Sequence, residues 1–124
     1  MQRVLAVLLI IFLAACSPQI PANTGIEGQV LIGPTCPVVQ QGKECPDKPY
    51  QAILTVLDSS GTRKIARFQT DTEGRFRVQL APGNYILHPE TPEKMPLPIA
   101  PEQNFTVTEG RFTQISVAYD SGIR

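Results

Sequence analysis

The sequence predicts an all-β fold, a seven-stranded antiparallel β-sandwich, and three observations point to it. Apolar residues recur at every second position in several short stretches, the period of a strand with one buried face. Twelve prolines and nine glycines in 124 residues interrupt the chain too often for long helices. No stretch after the first residues carries the 3.6-residue period of an amphipathic helix. A chain of this length can bury one small core, and so one domain.

The first sixteen residues, MQRVLAVLLIIFLAAC, lie outside that pattern. Arg3 is followed by an apolar run over residues 4–13. The run is too short to cross roughly 30 Å of hydrocarbon as a helix, which takes about 20 residues. It fits the apolar region of a secretory leader. Leu13-Ala14-Ala15-Cys16 resembles the lipobox of bacterial lipoproteins. That resemblance implies cleavage before Cys16, a diacylglyceryl group on its thiol and a fatty acyl chain such as palmitate on its new amine. Residues 1–15 are then a lipoprotein signal peptide, and residues 16–24 are the lipidated cysteine and a tether. Each buried CH₂ contributes about 0.8 kcal/mol, so two or more chains anchor stably. The eight residues from Ser17 to Thr24 reach at most roughly 28 Å, which keeps the domain near the membrane. The expected location is the outer face of the plasma membrane. In a two-membrane envelope it is the outer membrane, because Ser17 rather than Asp follows the cysteine.

Residues 25–120 carry the sandwich, and residues 121–124 read as a tail. Residues 25–33, GIEGQVLIG, form the first strand, with Ile26, Val30 and Ile32 on one face. Gly28 marks a close approach of another backbone. Residues 51–57, QAILTVL, are almost continuously apolar, as in a central strand covered on both sides. Asp58-Ser59-Ser60-Gly61 turns the chain into residues 63–70, where Ala66 and Phe68 alternate with Arg67 and Gln69. Asp71-Thr72-Glu73-Gly74 is turn chemistry. Phe76, Val78 and Leu80 then alternate with Arg75, Arg77 and Gln79. Pro82-Gly83 presets a tight turn, and residues 84–88 are extended. Five prolines between positions 89 and 101 leave a loop with an edge segment at residues 97–100. Residues 103–108 and 111–119 close the set, with Ile115, Val117 and Tyr119 in phase.

Between the first two strands lies an irregular stretch holding Cys36 and Cys45. With Cys16 lipidated, these are the remaining thiols, and an exported chain pairs them as a disulfide by default. Closing a loop of about ten residues stabilises by roughly 2.5–3 kcal/mol in the chain-entropy model. A zinc site competes poorly, since His88 is the one histidine and lies far off in sequence. A redox pair competes poorly as well, because the spacing is not CxxC. The loop itself, Pro37, Val38, Val39, Gln40, Gln41, Gly42, Lys43 and Glu44, is the candidate for partner contact. Preorganisation by a staple lowers the entropy cost of binding.

Asp71-x-x-Gly74-x-Phe76, followed by Leu80-x-Pro82-Gly83-x-Tyr85-x-Leu87, resembles the carboxypeptidase regulatory-like domains. The resemblance spans about residues 25–119. It implies a prealbumin-like (transthyretin-like) sandwich of Ig-like layering and says almost nothing about activity. The hydroxyisourate hydrolases share that fold, but their several histidines and Tyr-Arg-Gly-Ser ending are absent here, where the chain reads Tyr119-Asp120-Ser121-Gly122. The Lys–Asn cross-linked pilin modules carry a lysine in the first strand, and residues 25–33 have none.

The sequence assembles no enzyme signature. There is no GxSxG elbow, no HExxH, and no catalytic, metal or cofactor set. Asp71 and Glu73 supply too few oxygens for Ca²⁺; an Asp accepting turn N–H bonds is the simpler role. Formal charge is zero, and removing residues 1–15 takes away one cation, so no nucleic-acid footprint exists. Arg63, Lys64, Arg67, Arg75 and Arg77 read as a modest basic cluster on two neighbouring strands, solvated or facing anionic headgroups or polymer. The function expected is a non-catalytic, membrane-anchored envelope lipoprotein, a binding or structural module. Its partners would be the membrane through Cys16 and an envelope protein or cell-wall polymer. The alternative is a protease inhibitor presenting the Cys36–Cys45 loop.

Overall fold

The computed structural model describes residues 20–35 and 46–123. Among them are eight strands and no helix: β1 (Gly25–Gly33), β2 (Lys48–Pro49), β3 (Ile53–Asp58), β4 (Lys64–Gln69), β5 (Arg75–Gln79), β6 (Gly83–Pro89), β7 (Gln103–Val107) and β8 (Phe112–Asp120). Two sheets form. In the first, β1 is central: β8 runs along one edge, and β5 and β2 share the other. The second has the order β4-β3-β6-β7.

Two features depart from the expected seven antiparallel strands. The eighth strand is β2, inside the stretch expected to be irregular, where Pro49 and Lys48 pair with Leu31 and Ile32. A proline fits there because β2 is a two-residue edge strand. The second departure is that β1 and β8 run parallel from Gly25↔Phe112 to Gly33↔Asp120. Parallel neighbours need a long connection, and here the rest of the sandwich provides it.

The alternating residues meet between the sheets. Ile26, Val30, Phe76, Leu80, Ile115, Val117 and Tyr119 from the first layer pack on Leu54, Val56, Leu87, Phe105 and Val107 from the second. Each large aliphatic or aromatic side chain so buried contributes about 1.5–3 kcal/mol. The Phe68 and Phe76 rings meet across the layers at 5.5 Å, tilted by 40°. Gly28 is the close approach anticipated: a Cβ there would run into the Ile115 carbonyl.

The Asp71–Gly74 turn works as read. The Asp71 carboxylate accepts the amides of Glu73 (2.9 Å) and Arg75 (2.8 Å). Gly74 sits at φ 73°, and its carbonyl accepts the Val30 amide at 2.7 Å. The Pro82-Gly83 corner connects β5 in one sheet to β6 in the other, so it does not close a hairpin. The Tyr85 hydroxyl spans it, donating to the Ala81 carbonyl at 2.6 Å.

Candidate functional site

Cys16, Cys36, Cys45 and the loop residues Pro37, Val38, Val39, Gln40, Gln41, Gly42, Lys43 and Glu44 all lie outside the described residues. The flanks of the loop are described. The Thr35 hydroxyl donates to the Pro46 carbonyl at 3.2 Å. The Ser121 hydroxyl donates to the Pro34 carbonyl at 2.6 Å, and the Ser121 amide to the Gly33 carbonyl at 2.9 Å. Ser121, assigned to the tail from sequence, thus buttresses the loop's departure point.

β1 joins this end to the tether. At its start, Thr24 is fully buried. The Thr24 hydroxyl accepts the Gly110 amide at 2.9 Å, and its carbonyl accepts the Leu80 amide at 3.2 Å. Eight steps of about 3.3 Å put the two ends of the nine-residue strand roughly 26 Å apart. Beside the loop flank, Ile99 pairs with Asp120 through amide–carbonyl bonds of 3.2 and 2.7 Å. Ile99 is 51% exposed. Leu97 fills the space where a Gly122 side chain would stand.

The expected basic cluster is not one face. β4 and β5 belong to different sheets, because the turn between them crosses the sandwich. Arg67 on β4 is bound bidentately by Glu90, Nε to Oε1 at 2.9 Å and an η nitrogen to Oε2 at 3.0 Å. On β5, the Arg77 guanidinium lies 4.0 Å from the Phe112 ring centre and 3.7 Å from Glu27. Arg75 has no carboxylate partner among the described residues. Glu27, Gln29, Arg75, Arg77, Gln114 and Ser116 line a shallow groove of about 610 Å³ on the outer face of this sheet. There the Gln114 amide donates to Glu27 at 2.6 Å.

The outer face of the second sheet holds the most connected polar group. Thr55 stands opposite Arg67 on one side and His88 on the other. It is only 2% exposed, and its hydroxyl donates to Glu90 Oε1 at 2.7 Å. Hydrogen bonds from Arg67, and then from Thr55, hold the Glu90 carboxyl at about 2. His88 Nδ1 lies 2.7 Å from Glu102 Oε1. Each of these side chains is already engaged by a neighbour, which suits a rigid surface. Sequence reasoning did not find Glu90 or Thr55, which lie 35 positions apart. Among the described residues no three His, Cys, Asp or Glu side chains gather as a metal site, and no buried side-chain nitrogen or oxygen lacks a partner. Neither a protein-family model nor a curated protein matches the chain.

Proposed function

We propose that this protein is a non-catalytic envelope lipoprotein, anchored through lipid on Cys16, whose prealbumin-like β-sandwich displays the stapled loop of residues 36–45 to an envelope partner. One observation supports the reading above the others: the tether enters at one end of β1 and the loop departs from the other, roughly 26 Å away. An anchored domain of that shape holds its loop away from the lipid surface. The loop's flanks are tied by Thr35, Pro46 and Ser121, so the ends start from a fixed separation and less entropy is lost on binding.

The test is recovery of partners from solubilised envelope with the wild-type chain and with Cys36→Ser/Cys45→Ser. Selective loss of a partner from the double variant is the expected result; identical recovery removes the loop from the function. The same tied flanks favour one second reading, a protease inhibitor whose loop occupies an active site as a rigid decoy. A panel of serine proteases separates the two: inhibition without cleavage between residues 37 and 44 supports the decoy.

A further inference from the structure

The two sides of the sandwich are finished differently. On the β7/β8 side, side chains seal the gap: Gln103 donates to the Ser116 carbonyl at 3.0 Å, and the Thr113 hydroxyl to the Thr106 carbonyl at 2.6 Å. On the β4/β5 side no such bridge exists among the described residues. β5 is paired with β1 alone. The Leu80 amide bonds to the Thr24 carbonyl and the Val30 amide to the Gly74 carbonyl. By the alternation of an antiparallel ladder, the main-chain groups of Phe76 and Val78 face β1. Those of Arg75, Arg77 and Gln79 face outward. Asp71 takes both Arg75 groups. The N–H and C=O of Arg77 and Gln79 remain unpaired among the described residues, on an exposed edge.

We infer that this β5 edge accepts an extended acidic segment of a partner protein by strand addition. An incoming strand inherits the two-residue period. Its outer-face side chains lie beside Arg75, which lacks a carboxylate among the described residues, so acids fit there; Arg77 is turned across β1 toward Glu27 and Phe112. Its inner-face side chains lie over Val78 and Phe68, both packed on the core's margin, so apolar residues fit there. A second copy of the chain suits the edge poorly, because β5 pairing with itself gathers two Arg75–Arg77 sets on one face, and like charges across strands repel. The β4 edge is the weaker host: Glu90 already neutralises its Arg67, and a bulge interrupts it. This edge is separate from the 36–45 loop, so its test stands whether or not the loop binds.

The test uses the full chain in detergent and a short fluorescent peptide of alternating glutamate and valine, read by anisotropy. Saturable binding that weakens with salt is expected. The same peptide with every amide N-methylated, which keeps the charges but removes the donors, should bind about tenfold more weakly or worse. Gln79→Pro blocks the edge without removing a ladder bond to β1 and should abolish binding; Arg75→Glu should do the same. The N-methylated peptide keeps the test decisive if Gln79→Pro does not fold. No saturable binding to the wild type, or equal binding of the N-methylated peptide, overturns the inference. A dimer of the chain that Gln79→Pro dissociates also overturns it, in favour of self-pairing.

Discussion

The Tyr119 hydroxyl donates to the Glu90 main-chain carbonyl across 2.7 Å, joining the last strand of one sheet to the end of β6 in the other. Tyr119 is 2% exposed, and its ring meets Tyr50 edge-on at 5.0 Å. Burial pushes the phenol well above its ordinary range, so it stays a donor. Tyr119→Phe keeps the packing and leaves the Glu90 carbonyl without this donor. The expected loss is about 1 kcal/mol of unfolding free energy, read from the urea midpoint. Tyr119→Ala, which also opens a cavity, should cost about 3–5 kcal/mol.

Glu90 carries a pH prediction. Arg67 and Thr55 hold its carboxyl at about 2, against an ordinary 4.5. A carboxyl depressed by folding contributes stability that is fully present above 4.5 and is lost as pH falls through about 2. Arg67 is more than half exposed, and solvent screening shrinks the effect. Urea midpoints should therefore decline across that window in the wild type. In Glu90→Gln the decline should be shallower, and an unchanged slope would place the acid sensitivity elsewhere.

Gly74 permits no side chain. Its φ of 73° is left-handed, and a Cβ would run into the Val30 carbonyl that it must approach to close the ladder. Gly74→Ala should destabilise by more than about 1 kcal/mol. Gly110, also at positive φ but with nothing near its missing Cβ, serves as the control. Its alanine variant carries only the backbone cost, so the difference between the two thermal midpoints reports the close approach.

The cysteines make three predictions, read by intact mass, alkylation and unfolding. The mature chain should begin at Cys16 with acyl mass attached; plain cleavage with a free thiol would sink the anchoring. Denatured but unreduced protein should take up no alkylating reagent at Cys36 or Cys45. The unfolding midpoint should fall on reduction by an amount corresponding to roughly 2.5–3 kcal/mol.

Which residues face the core was written locally. Ile26 and Val30, Phe76 and Leu80, and Ile115, Val117 and Tyr119 alternate in the sequence and are buried in the structure, because period-two alternation is a property of each strand alone. The Asp71–Gly74 turn was legible for the same reason: its bonds close within five residues. Partnership between strands was not local. That β8 lies parallel to β1, that Arg67 and Arg77 sit on different sheets, and that Thr55 meets Glu90 each depend on how the chain returns after tens of residues. No short window of sequence encodes such a return. It emerges only when both sheets bury their apolar faces together and register fixes which polar side chains are left opposite one another.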